Sequence, residues 1–404
     1  MLTSLALIFL IGMFLGWIFT KLKLPSLIGM LIAGIVLGPY ALNLIDVSIL
    51  SMSADLRQIA LVIILIRAGL SLNLNDLKRV GRPAILMCFV PACFEILGMI
   101  FLAPKILGIS VLEAAIMGSV VAAVSPAVIV PRMINLIENR FGIDKSIPQL
   151  IMAGASVDDV FVIVLFTSFT SLAGGENVSV FRFVEIPISI LMGIVVGAIV
   201  GWLLSVFFKK IHVRDSIKVI IILSAAFLLL CIENKTEHII PFSGLLAVMT
   251  TGIATLRIYP TLAKRLSVKF SKLWVVAEIL LFVLVGATVD IRYAVSAGII
   301  VALLLFAVLT FRVAGVFLCL LRTKLNMKER MFCMIAYIPK ATVQAAIGGI
   351  PLVMGLPCGN IVLTVAVLSI IITAPLGALG IDETHKKFLT RQTEKLEDVN
   401  ISSQ

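Results

Sequence analysis

Apolar residues fill this chain in long unbroken blocks, separated by short polar breaks. Thirteen blocks stand out: 2–20, 26–44, 56–75, 83–103, 109–131, 148–172, 183–208, 217–233, 238–257, 270–289, 293–321, 329–353 and 358–380. Each is roughly long enough to cross a hydrocarbon core of about 30 Å as a helix rising about 1.5 Å per residue. The blocks are continuous and do not alternate with period two, which predicts helices and excludes a membrane barrel. The pattern therefore predicts an all-α polytopic membrane protein of about 13 transmembrane helices. From Asp382 to Gln404 the chain turns polar, which predicts a loose tail, residues 381–404. No basic region precedes the first block and no small-residue cleavage site follows it, so it reads as a retained helix.

Blocks seven apart resemble each other. The fifth contains Ser125-Pro126-Ala127-Val128-Ile129-Val130-Pro131, and the twelfth contains Ile338-Pro339-Lys340-Ala341-Thr342-Val343-Gln344. Each places proline and polar groups in the middle of an apolar segment. The third ends in Arg67-Ala68-Gly69-Leu70-Ser71-Leu72-Asn73, the tenth in Gly286-Ala287-Thr288-Val289-Asp290. The fourth carries one deep charge, Glu95, and the eleventh one of opposite sign, Arg312. An odd offset reverses orientation, so the pattern predicts two inverted repeats joined by the seventh block, 183–208. Proline removes a backbone donor inside a helix, and in lipid the freed groups need new partners. Paired prolines at matching positions predict two discontinuous helices crossing near the midplane, a feature of secondary transporters. Pro126, Pro131, Pro339, Thr342 and Gln344 mark the breaks.

Composition fits this reading. The chain is 61% apolar and 14% charged, with mean hydropathy +1.17, too much hydrocarbon for a water-soluble interior. The net charge of +11 reflects membrane topology and does not point to nucleic acid. Of 33 Lys and Arg, 25 lie in the tail or in and at the edges of the loops after odd blocks, five in and at the edges of the other loops, and three (Arg67, Arg312, Lys340) well inside blocks. This asymmetry predicts an outside N-terminus and a cytoplasmic C-terminus. The six cysteines fall inside apolar blocks without metal-binding spacing and read as packing residues. His212, His238 and His385 lie in loops or the tail and suggest neither metal nor catalysis.

The sharpest chemistry is Gly154-Ala155-Ser156-Val157-Asp158-Asp159-Val160 in the sixth block. A charge at that depth costs at least about 2.5–3.5 kcal/mol, so two adjacent carboxylates call for a function. A buried aspartate holds either a proton or a cation, and that competition is the minimum chemistry for exchange. Small hard cations want oxygen ligands, here Asp159, Asp158, Ser125 and the carbonyls of the break. These residues would bind Na+ or Li+ as transported ions. No cofactor is expected. Lys340 lies too deep to snorkel easily and reads as compensating the charge of facing helix ends. Glu95 and Arg312 read as an ion pair that could also neutralise Asp158. Arg67 and Glu278 read as interface anchors or a local pair.

At Ser125–Pro131, Ala155–Asp159 and Ile338–Ala345 the sequence resembles the monovalent cation/proton antiporter superfamily. It is most similar to bacterial relatives of the animal sodium/proton exchangers of the two-aspartate branch. The resemblance implies a core ion-transport domain (83–172 and 293–380), a dimerisation domain (1–75 and 217–289), a homodimer in the bacterial inner membrane and an elevator-like movement of the core. It implies Asp159 as ion and proton carrier, with Asp158 beside it. Electrogenic members carry a lysine in the eleventh span that partners the first aspartate. Arg312 stands there instead, and arginine keeps its proton, so one-for-one exchange is expected.

The expected function is sodium (or lithium)/proton antiport. Potassium/proton exchange is the alternative within the class, and a cation channel the alternative outside it. An intramembrane aspartyl protease does not fit, because helix neighbours i and i+1 do not face each other as a proton-sharing dyad must.

Overall fold

A computed structural model describes residues 1–71, 80–173, 181–211, 213–236, 242–289 and 291–391. Among these the regular structure is helical, apart from one isolated bridge between Phe141 and Arg391. The helices are α1 (Leu2–Lys21), α2 (Ser26–Leu37), α3 (Val47–Ser51), α4 (Ser53–Ser71), α5 (Arg82–Met87), α6 (Val90–Leu107), α7 (Val111–Ala122), α8 (Pro126–Glu138) and α9 (Ile147–Ala173). They continue as α10 (Phe181–Lys210), α11 (Asp215–Thr236), α12 (Gly244–Ile258), α13 (Pro260–Ala287), α14 (Ile291–Cys319), α15 (Met327–Ala336), α16 (Thr342–Ile347), α17 (Ile350–Val353) and α18 (Gly359–Phe388). Each apolar block overlaps a helix or a broken helix among the described residues. Among the described residues nine of these meet the length and hydropathy of a membrane crossing. Blocks two and nine hold shorter helices, the third holds the more polar α4, and the twelfth is interrupted.

Three departures from the pattern have physical reasons. The fourth block splits at Cys88–Phe89, where Pro91 opens α6 at a position that needs no amide donor. Helix α13 begins ten residues before the tenth block. Lys264, Arg265, Lys269 and Lys272 depress the hydropathy there, yet Leu262, Ala263, Leu266 and Phe270 are buried along one face of an amphipathic turn. The third concerns the tail, expected to be loose from Asp382 but ordered to Arg391. Ile381, Phe388 and Leu389 pack with Phe141, Leu136 and Ile147. The Gly142 amide donates to Thr390 O at 2.9 Å, and Arg132 pairs with Asp382 at 3.2 Å. Three apolar residues in a polar run are enough to dock it. Leu72, Asn73, His212, His238, Asp290 and the tail beyond Arg391 lie outside the described residues.

Helix α13 packs on both α2 and α4, with α1 against α2 and α12 against α4. A second set forms around α6, α7, α14, α9 and α18. Helix α10 packs chiefly along α12, where Gly197 lies so close that a Cβ would sit 2.4 Å from Ala247 O.

Candidate functional site

Both predicted breaks are present. Helix α7 stops at Ala122, residues 123–125 are not helical, and Pro126 starts α8 as its first residue. Proline is suited to that position because the first turn has no intrahelical acceptor for its missing donor. Pro131 lies inside α8 and takes no part in the break, a correction to its sequence placement. On the other strand of the crossing, α15 stops at Ala336, residues 337–341 are not helical, and α16 resumes at Thr342. The two breaks meet directly: the Ser125 amide donates to Pro339 O at 2.8 Å. The Gln344 side chain ties the α16 end to the other break, its Nε2 donating to Val121 O at 3.1 Å and Ala123 O at 2.8 Å.

Charged side chains fill the crossing. Asp158 is fully buried. Its Oδ2 accepts the Val124 amide at 2.8 Å and Arg312 Nη2 at 3.1 Å. Arg312, 1% exposed, donates here from all three of its guanidinium nitrogens. Its Nη1 donates to Glu95 Oε2 at 2.8 Å and to Ala122 O, and its Nε to Tyr337 O at 2.7 Å. The planar five-donor fork of arginine makes this multi-acceptor grip feasible. Lys340 is also fully buried, and its Nζ reaches the same Glu95 Oε2 at 2.8 Å. The Glu95–Arg312 pair expected from the repeat is therefore present, and Lys340 makes it a triad. Lys340 thus has a carboxylate partner, whereas the sequence suggested it offsets helix ends.

Asp159 sits one residue further along α9, half-buried, with its Oδ1 buried and without a protein hydrogen bond. Asp158 Oδ1, Ser125 Oγ, Thr342 Oγ1 and Gln344 Oε1 are likewise buried and without a protein partner. Buried polar oxygens are ordinarily satisfied, so these five atoms on α9 and the two breaks are open to a ligand. One helical turn beyond Asp159, Ile163 and Val164 join Leu65, Leu245, Leu246 and Met249 in an apolar layer with no space for a water. Among the described residues no group of three His, Cys, Asp or Glu makes a resident metal site.

Two contributors escaped the sequence. Tyr337 is fully buried at the mouth of the second break, its ring 5.4 Å from Arg312 Cζ and its hydroxyl donating to Met87 O at 3.3 Å. Thr373 on α18 accepts the Lys340 amide at 3.0 Å. Tyr337 was legible as one of only four tyrosines in the chain, placed next to a break. Thr373, a threonine in an apolar helix, carried no signal. Arg67 and Glu278 interact across α4 and α13 and lie outside this cluster.

The geometry has counterparts among known proteins. Sodium/hydrogen exchanger 9B2 of Mus musculus is 32% identical over 389 residues, covering 93% of this chain and 70% of the relative. Sodium/hydrogen exchanger 9B1 of Homo sapiens is 33% identical over 383 residues, covering 91% and 73%. The solved structure of the sodium proton antiporter MjNhaP1 from Methanocaldococcus jannaschii at pH 8 superposes with a TM-score of 0.84. It is 21% identical and covers 95% of this chain and 97% of that one, and it shares the fold. The family model for the transmembrane sodium/hydrogen exchanger matches residues 5–386. With its broken-helix crossing and its buried aspartates, this chain belongs to the sodium/hydrogen exchanger family.

Proposed function

We propose that the chain is a secondary active antiporter that exchanges sodium or lithium for protons by alternating access, with ion and proton competing at Asp159. The observation that carries this is the set of unpartnered oxygens on α9 and the two breaks, Asp159 Oδ1 among them, beside an Asp158 whose Oδ2 is held by Arg312 and the Val124 amide. Asp158 is held by Arg312 and a backbone amide, so it fixes the geometry and supplies charge. Asp159 keeps a free carboxylate oxygen for a ligand. Sodium, a hard cation, takes oxygen ligands, and Ser125, Thr342, Gln344 and the carboxylates provide them. The apolar layer beyond Asp159 supports access from one face at a time.

The charge balance supports one-for-one exchange. The cluster holds three acids (Glu95, Asp158, Asp159) against two bases (Arg312, Lys340). With all five ionised, one sodium ion or one proton neutralises it, and either fully loaded form has the same charge. Arg312, the partner of Asp158, keeps its proton throughout. Sodium-driven proton movement is therefore expected to proceed at the same rate whichever sign of membrane potential is clamped across proteoliposomes. A steep dependence on that potential would refute one-for-one exchange, and Lys340→Gln would be the variant to examine next.

As part of the same reading, helices α1, α2, α4 and α11–α13 form a scaffold through which two copies dimerise. The unit 83–172 with 293–380 moves against it as an elevator, and α10 links them. The protein sits in the bacterial inner membrane with its N-terminus outside, an orientation supported by the loop charges. The direct test is a proteoliposome with an imposed pH gradient, challenged separately with sodium, lithium and potassium. Proton movement on sodium or lithium addition is expected, and none with either ion would refute the proposal. Competition has its own signature. Below the carboxyl pKa the apparent KM for sodium is expected to rise about tenfold per pH unit, since each unit lowers the ionised fraction tenfold. A KM constant from about pH 6 to 8.5, with only the maximal rate changing, would argue against competition.

A further inference from the structure

Arg57 is a buried cation with no assigned task. It lies on the first turns of α4, only 5% exposed. Its Nε donates to Ser53 O at 3.2 Å, one turn back on its own helix, and its Nη1 is buried without a hydrogen-bond partner. Ser53 Oγ, on the same face, is also buried and unpartnered. Among the described residues no carboxylate pairs with this guanidinium. A structural arginine in a helix bundle ordinarily finds an anion or carbonyls for its donors.

The guanidinium is pressed against the second broken helix. Helices α16 and α17 are separated only by Gly348 and Gly349. A Cβ built on Gly349 would lie 2.2 Å from Arg57 Nη1 and 3.2 Å from its Cζ and Nη2. The Nη1 edge of the guanidinium occupies the place of a side chain at 349. Helix α16 has six residues, about 9 Å at about 1.5 Å per residue. One end joins Lys340 and Ala341 at the ion crossing, and the other is the elbow against Arg57. Its flanks pack on α4 and α13. The elbow is thus where the crossing is braced against the helices of the other set.

We propose that Arg57 is a positioning residue: its guanidinium wedges the seam between α4 and the Gly348–Gly349 elbow, and so holds α16 in the arrangement that closes the ion site toward the face where α4 begins. This rests on the alternating-access reading, since a seam between the two sets is a gate only if they move against each other. The unpartnered Nη1 makes the wedge reversible. The closed seam leaves one strong donor unsatisfied, and opening it returns that donor to water. A cation at this point also keeps sodium out of the seam while it is closed.

The test pairs Gly349→Ala with Arg57→Ala in the full-length protein, reconstituted and followed by amide hydrogen exchange and by sodium-driven proton transport. In Gly349→Ala the new methyl displaces the guanidinium. Exchange across 342–353 and 53–60 is expected to accelerate about tenfold, and maximal transport to fall at least about threefold, with the sodium KM within about twofold of the parent. In the double variant the methyl enters the space the guanidinium leaves, and both readouts are expected to return to within about twofold of the parent. Arg57→Gln, which keeps a hydrogen-bonding group without the charge, guards against misfolding of the alanine variants and is expected to show the same transport loss with unchanged KM. Additive effects in the double variant would overturn the proposal, because the two residues would not share one contact. A raised sodium KM with unchanged maximal rate would also overturn it, by placing Arg57 in ion binding. If the parent moves no protons with sodium, the antiport reading fails, while the hydrogen-exchange arm still reports on the seam.

Discussion

Asp159→Asn protein, reconstituted in proteoliposomes, is expected to lose sodium-driven proton movement by at least about a hundredfold while inserting and unfolding like the parent. The amide preserves the shape of the carboxylate but cannot exchange a proton for a cation. Its stability should hold because Asp159 Oδ1 makes no protein hydrogen bond and its neighbour Asp158 carries the Arg312 contact. Replacing a buried carboxylate by an amide there leaves no cation unpaired. Exchange at the parent rate in well-folded Asp159→Asn would refute the assignment of the carrier. Asp158→Asn is the contrasting variant. It removes one of two anions from Arg312 and should lower the unfolding midpoint, which Asp159→Asn should not.

Arg312→Gln is expected to be the most destabilising single change in the crossing. It leaves Asp158 and Glu95 short of their shared counter-ion in a fully buried cluster, and breaking one side of a buried pair typically costs about 3–5 kcal/mol. An unfolding midpoint in detergent lowered by about 4–6 °C would match that cost for a chain of 404 residues. Glu95→Gln alone should cost a comparable amount, because its Oε2 serves both Arg312 and Lys340. For an isolated pair the double replacement would be near neutral. In this triad it is expected to recover only part of the loss, since Lys340 and Asp158 remain charged without their partners. Full recovery in Glu95→Gln/Arg312→Gln would show that Lys340 and Asp158 do not depend on the other two.

Much of this architecture was legible before any coordinates. Helix positions followed from apolar blocks because a lipid-facing helix must be apolar along its whole length. The crossing followed from Pro126 and Pro339, since proline has few roles in mid-membrane. Glu95 and Arg312 were legible as partners because each is the lone deep charge of its block and their signs are opposite. Other features were not legible. Hydropathy averages could not find the buried stripe of α13 beneath four lysines and arginines, nor the docking of Phe388 and Leu389. The Lys340–Glu95 contact joins residues 245 apart in sequence, and nothing in a linear pattern says which of two cations a carboxylate will take. The unsatisfied oxygens depend on three-dimensional accounting that a sequence does not carry. The burial of Arg57 was not legible either, because burial in a seam is a property of packing alone.

The bond between the Ser125 amide and the Pro339 carbonyl is drawn by main-chain atoms at both ends. No exchange of side chains at these positions deletes it, apart from proline at 125. Alanine scanning is blind to it, and an ester in place of the peptide bond before Ser125 would be needed to remove that donor. Residues lining the crossing can therefore change without removing this bond. Two chains that agree at 21% of positions can still superpose at a TM-score of 0.84. The bond asks for two backbones held together and does not depend on the identity of the side chains around it.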